Sequence, residues 1–169
     1  QWRTPDEVQH TVWQHWVEIV VPDTAVDDTA LLSIYGGGIN RPAPQPGNST
    51  TDQLIDIALA SNAVVVGLPN IPNQSLIFSD DPLTPRSEDA IISYTFDKFI
   101  DEYPNLGDNT WPLLLPMVKA AVRAMDTTQA VLANEIDYEI NDFAVTGGSK
   151  RGWTTWLTSA VDELVIAIM

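Results

Sequence analysis

Ala63 to Gly67 (AVVVG) is a strand-sized run that is apolar on both faces. That is how a strand buried inside a parallel sheet reads, and it ties the chain to a sheet covered by other elements. Four further runs have strand character. Trp13 to Val21 (WQHWVEIVV) is aromatic and β-branched and stops at Pro22-Asp23. Ala30 to Tyr35 runs into Gly36-Gly37-Gly38, Phe143 to Thr146 ends in Gly147-Gly148-Ser149, and Leu164 to Met169 is apolar. Helical spacing separates them. Asp52 to Ser61 carries Leu54, Ile55, Ala58 and Leu59 on one stripe. A second helix is expected from Ser87, whose hydroxyl can cap it, to about Asp101, with Glu88 and Asp89 at the positive end of its dipole. A longer one lies within Trp111 to Ala133, with Pro112 or Pro116 in its first turn and Val118, Ala121, Val122, Met125 and Leu132 as its stripe. Helical spacing resumes after Ser149 to about Ala160. Asn40 to Thr51 reads as a loop, and Pro69 to Pro85, with four prolines, as a long irregular excursion. The alternation predicts an α/β fold: a single domain over 1–169, with a mostly parallel sheet and helices on both faces.

Composition narrows the function classes. Of 169 residues 44% are apolar and the mean hydropathy is near zero, which describes a globular chain. No run approaches the roughly 18 apolar residues of a membrane helix. Eight basic against 23 acidic residues give a net charge of −15, which argues against nucleic acid as a partner, since phosphate contacts need basic patches. The absence of cysteine removes disulfides, thiolate metal sites and thiol nucleophiles. The first residue is Gln1, with no charged-then-apolar leader before it, so a processed or truncated N-terminus is expected. Asn48-Ser49-Thr50 and Asn73-Gln74-Ser75 match the glycosylation sequon. Asp27-Asp28 and Asp80-Asp81 lack calcium-loop spacing and read as solvated turns. Trp13, Trp16, Trp153 and Trp156 sit in element patterns and are expected in the core.

The segment richest in chemistry is Phe143 to Trp153. It reads as strand, tight turn and helix, with Ser149 at the apex and glycines at −2 and +3. A nucleophile elbow needs this arrangement: the serine is exposed on a strained backbone, and small neighbours let strand and helix pack closely. The familiar form places the second glycine at +2, where this chain has Arg151. A plain strand-to-helix turn is the alternative. A phosphate loop is the other, but the Gly-x-x-x-x-Gly-Lys spacing is missing. Tyr35-Gly36-Gly37-Gly38 also follows a strand, about 110 residues upstream of Ser149. An oxyanion loop lies in that position, its glycines allowing backbone N–H groups to approach a carbonyl oxygen. The two turns together make Ser149 the candidate nucleophile and Lys150 N–H with Gly37 and Gly38 the candidate oxyanion hole. Lys150 and Arg151 either attract an acidic substrate, with Arg151 as the substrate-binding cation, or pair with some of the many carboxylates.

Three blocks carry a family resemblance: Val145 to Leu157 (VTGGSKRGWTTWL), Arg86 to Ala90 (RSEDA) and Leu115 to Asp126 (LPMVKAAVRAMD). On these the chain resembles the PhoPQ-activated pathogenicity-related protein family, a branch of the α/β-hydrolase superfamily. The resemblance implies a secreted or periplasmic hydrolase-like protein with Ser149 at the nucleophile position, and a glycine at +3 as the family's own form of the elbow. It also implies that the chain corresponds to about the first half of a family member.

A serine hydrolase needs a base and an acid to orient it, and in α/β hydrolases both follow the nucleophile. Only 20 residues follow Ser149, none of them histidine. The two histidines, His10 and His15, lie in the first strand region, and His15 between tryptophans reads as a packed residue. The fold is therefore expected to be incomplete at its C-terminal side, completed by a further segment or a second chain, and these residues alone are expected to be inactive. The whole is expected to hydrolyse a small-molecule or peptide ester or amide, with no cofactor implied. The alternative is a non-catalytic secreted signalling or binding protein on the same scaffold.

Overall fold

The computed structural model describes residues 1–169. In chain order the elements are β1 (Glu18–Val20), β2 (Thr29–Ile34), α1 (Ser49–Ser61), β3 (Val65–Leu68), β4 (Leu76–Phe78), β5 (Asp81–Arg86), α2 (Asp89–Leu106), α3 (Leu114–Ile136), β6 (Asp142–Gly147), α4 (Lys150–Val161) and β7 (Val165–Ile168). The main sheet has the order β1-β3-β2-β6-β7. β2 lies at its centre, parallel to β3 (Leu31 opposite Val65) and to β6 (Ile34 opposite Gly147). β7 extends it in parallel beside β6, and β1 closes the other side antiparallel to β3. The mixed α/β architecture with a mostly parallel sheet is the one the sequence pattern predicts.

Packing follows the two-residue period of the strands. Ala30, Leu32 and Ile34 of β2 share one core with Val64, Val66 and Leu68 and with Met117, Ala121, Met125 and Leu132 of α3. Leu31 and Val65 point into a second cluster with Leu54 and Ala58 of α1. All four residues of β3 are buried, as its unbroken apolar run requires. Each large side chain removed from water in this way contributes about 1.5–3 kcal/mol. Asn48 caps α1 by accepting a bond from Thr50 N–H at 3.0 Å. α2 stops at Gly107 in the left-handed conformation, its N–H donating to Tyr103 O.

Several expectations change in detail. Only Glu18–Val20 of the aromatic first run pairs as strand, because Trp13 and His15 turn onto neighbouring rings rather than into the sheet. The proline-rich excursion contains a hairpin, β4 against β5, with Leu76 opposite Arg86. Pro82 and Pro85 are tolerated because β5 is mostly exposed and has no second neighbour. Glu88, not Ser87, is the N-cap of α2, and no side chain caps it. Of the tryptophans expected in the core, Trp16, Trp153 and Trp156 are exposed, and Trp153 stacks on Phe96 at 6.0 Å. Trp2 and Trp111 are the buried ones. Asp80 and Asp81 are not free turn carboxylates: Lys98 holds the first at 2.7 Å and Arg86 the second at 2.7 Å. No helix is long and apolar enough to cross a membrane.

The sequons separate cleanly. Asn73 is buried and its Nδ2 donates to Gln14 O at 3.2 Å, so the nitrogen that would carry a glycan is committed inside the fold. Asn48 is exposed. When the full-length protein is secreted from a glycosylating host, peptide mass spectrometry should find any glycan at Asn48 and none at Asn73.

Candidate active site

Three segments leave the carboxyl ends of adjacent parallel strands: Tyr35–Gly38 after β2, Pro69–Gln74 after β3 and Gly148–Arg151 after β6. The register aligns them, because Ile34 is opposite both Leu68 and Gly147. Gly36 and Ser149 therefore each stand two residues beyond a paired position on neighbouring strands. Ligand sites of open parallel sheets form at this edge.

Ser149 occupies φ 58 and ψ −125, a backbone region sparsely populated by any residue with a Cβ. Such a conformation costs on the order of 1–3 kcal/mol and persists only where surrounding structure enforces it. The enforcement is visible in the glycines. A Cβ on Gly147 would stand 2.7 Å from Arg151 O, and one on Gly152 would stand 2.8 Å from Gly147 O. Strand end and first helical turn thus touch backbone to backbone, and the glycine at +3 performs the close packing expected of one at +2. Gly148 has open space around it. Ser149 itself is exposed, and its hydroxyl has no hydrogen-bond partner within the chain. It caps nothing: α4 begins without a side-chain cap.

The glycine segment is held from three sides. Asn70 N–H donates to Gly36 O at 3.4 Å and Ile71 N–H to Tyr35 O at 3.2 Å. Gln74 Nε2 donates to Gly37 O at 3.1 Å, while Ile39 N–H donates to Gln74 O at 2.6 Å. A Cβ on Gly37 would stand 2.1 Å from Asn70 Oδ1, and one on Gly36 2.6 Å from an Arg151 guanidinium nitrogen. The carbonyls of Gly36 and Gly37 are thereby tied down.

Lys150 and Arg151 pair with carboxylates. Lys150 Nζ lies 2.5 Å from Glu88 Oε2 and 3.0 Å from Asp89 Oδ1, with its side chain almost wholly buried. Arg151 Nη2 lies 2.8 Å from Glu88 Oε1, and its Nε donates to Ile71 O at 2.6 Å. The Arg151 cation is thus already engaged by the fold rather than held out for an anionic substrate. Burial alone would push the Glu88 carboxyl up, but bonds from Lys150, Gln74 and Arg151 outweigh it and hold it at about 2. Burial alone would lower Lys150, but Glu88 and Asp89 outweigh it and raise it. Glu88, Asn70 and Gln74 are the residues that sequence reasoning missed here. The available signal was two adjacent cations in a chain with only eight, which makes a dedicated carboxylate partner expected.

His15 is placed away from the serine. Its Nδ1 is 3.1 Å from Pro69 O, at the end of β3, and β2 intervenes between β3 and β6. Two strand spacings amount to about 10 Å. Its Nε2 is buried without a partner. Burial pushes the imidazole pKa down, and the Pro69 carbonyl offsets this only in part. With the folded pKa below the unfolded 6.5, stabilisation from the neutral ring is complete above that value and is lost as pH falls below it. The His15 contribution to stability should therefore be smaller at pH 5.5 than at pH 7. In paired thermal scans of the full-length protein, the melting temperature of the parent relative to that of His15→Gln should fall between pH 7 and pH 5.5.

A mostly parallel α/β sheet carrying a serine on a strained strand-to-helix turn, beside a tethered glycine loop, defines the class. Within that class the chain belongs to the PhoPQ-activated pathogenicity-related protein family, whose model matches residues 1–169. Over 159 residues it is 42% identical to the Autocrine proliferation repressor protein A of Dictyostelium discoideum, covering 94% of this chain and 31% of that protein. The chain thus spans about a third of the length of the curated relative it matches. No solved structure matches it.

Proposed function

We propose that these residues supply the nucleophile and the oxyanion-binding half of a serine hydrolase that acts on an ester or amide. The observation that carries the reading is the backbone of Ser149, held at φ 58 and ψ −125 with its hydroxyl free and exposed. Strain of that kind at an unpartnered nucleophile is a cost that folding alone does not require. An α/β-hydrolase assignment, with helices on both faces of the sheet, is supported by the two separate core clusters, one with α1 and one with α3.

In this mechanism Ser149 Oγ attacks the substrate carbonyl carbon and gives its proton to a base. Negative charge collects on the carbonyl oxygen, where Lys150 N–H and the Gly37–Gly38 segment stabilise it. The carbon–leaving-group bond then breaks, and the leaving group takes the proton from the base. Water attacks the resulting acyl ester in a second round and frees Ser149. Base and acid come from outside these 169 residues, in a further segment or a second chain. The distance of His15 from the elbow supports that assignment. A secreted or periplasmic setting is supported by the family resemblance and by the relative's autocrine designation.

The second reading is a non-catalytic signalling or binding protein, favoured by that relative's name as a proliferation repressor. Treatment of the full-length protein with a fluorophosphonate probe separates the two. A covalent adduct on Ser149 supports the hydrolase, whereas no adduct on folded full-length protein supports the signalling reading.

A further inference from the structure

We infer that Glu88 is the positioning residue of this site, locking the nucleophile turn to the glycine loop; the inference rests on the hydrolase reading above. Glu88 stands at φ 54 and ψ −128, within a few degrees of Ser149 at φ 58 and ψ −125. It too occupies the turn from a strand, β5, into a helix, α2. Two strained strand-to-helix apices therefore face one another, one presenting a hydroxyl and the other a carboxylate. Nothing in capping requires the second, because the Glu88 side chain makes no cap bond to α2.

What the carboxylate does is visible in its partners. Oε2 takes Lys150 Nζ at 2.5 Å, and Oε1 takes Arg151 Nη2 at 2.8 Å, so it grips both residues that follow the nucleophile. Oε1 also accepts from Gln74 Nε2 at 2.6 Å, and Glu88 N–H donates to Gln74 Oε1 at 2.7 Å. The same Gln74 nitrogen donates to Gly37 O at 3.1 Å. One side chain thus runs from the elbow, through Gln74, to the carbonyl of the glycine segment. Lys150 contributes the N–H placed in the oxyanion hole, and Gly37 and Gly38 contribute the opposite wall. The spacing between these walls is set by a chain of charged and neutral hydrogen bonds through Glu88. Charge-assisted bonds to a carboxylate are the short, stiff kind suited to holding such spacing. A misplacement of about 1 Å in a reacting geometry costs on the order of 10²-fold in rate.

The test is phosphonylation of Ser149 in the full-length protein by a fluorophosphonate, resolved into the rate at saturation and the half-saturating concentration. Glu88→Gln keeps the shape and loses the charge. It should slow the saturated rate about 10²-fold with little change in half-saturation, and Glu88→Asp, which restores the charge, should recover part of it. Asp89→Asn, which removes only the more exposed contact to Lys150, should leave the rate within about threefold. A saturated rate for Glu88→Gln equal to the parent's, with Ser149→Ala unlabelled, overturns the inference and leaves the hydrolase reading standing. A parent that is not labelled removes both. Should Glu88→Gln not fold, Gln74→Met decides, because it removes the Gln74 bonds to both Gly37 and Glu88 and so cuts the chain between them, while the Glu88 pairs with Lys150 and Arg151 remain: a tenfold slower saturated rate supports the inference, and an unchanged rate overturns it.

Discussion

Ser149→Ala in the full-length protein should abolish fluorophosphonate labelling and lower ester or amide turnover by at least roughly 10⁴-fold, with the fold unchanged. The size of the effect follows from the proposed role, since without Oγ no acyl intermediate would form and only the proposed oxyanion hole and binding would remain. Stability should stay within about 0.5 kcal/mol of the parent, because the hydroxyl has no partner to lose and is exposed. Ser149→Gly sharpens the test. It is equally without nucleophile but removes the Cβ that makes φ 58 and ψ −125 unfavourable. It should raise stability by about 1 kcal/mol, measured by denaturant unfolding. An inactive variant more stable than its parent is what a site held under strain for function produces. Turnover and labelling that survive in Ser149→Ala would place the nucleophile elsewhere. Absence of both turnover and labelling in the folded parent as well as in Ser149→Ala would favour the signalling reading.

The legible and illegible parts of this site differ in a physical way. Ser149 and the glycines at 147, 152, 36 and 37 could be read because the constraint is local: a tight turn between strand and helix demands small residues at fixed offsets. The parallel sheet could be read because buried strands such as β3 show as unbroken apolar runs. Glu88 could not be read as part of the site, because its role depends on the apposition of segments about 60 residues apart in sequence. Locally it has the look of an acidic residue favouring a helix dipole, and that reading fits the sequence equally well. The β4–β5 hairpin was hidden by Pro82 and Pro85, whose fixed φ permits an extended edge strand but gives no strand signal. α4 turns Thr154, Thr155 and Thr158 inward, each bonding a carbonyl one turn earlier. Its exposed positions carry Trp153 and Trp156. Hydrophobic periodicity therefore pointed the tryptophans of this helix inward, when the threonines are what its buried side contains.

Gly152→Ala is the second substitution from which a large effect is expected. Its new Cβ would stand 2.8 Å from Gly147 O, a backbone atom at the end of a central strand. That atom cannot swing away as a flexible side chain can, so either α4 must lift from β6 or the Ser149 turn must open. Overpacking of this kind typically costs about 1–3 kcal/mol. The shift would also be carried directly into Lys150 N–H and Ser149 Oγ, with a loss in labelling rate on the order of 10²-fold. Gly147→Ala should behave alike, since its Cβ would meet Arg151 O at 2.7 Å across the same contact. Gly148→Ala supplies the control: nothing lies within 4 Å of its added methyl, and its φ is not positive. It should therefore be neutral or slightly stabilising. The contrast among three alanine substitutions within six residues is measurable by thermal unfolding and probe labelling of the full-length variants. Equal effects at 147, 148 and 152 would contradict a close-packed elbow. Loss confined to 147 and 152 would show that the glycine at +3 performs here the packing that holds Ser149 in its strained conformation.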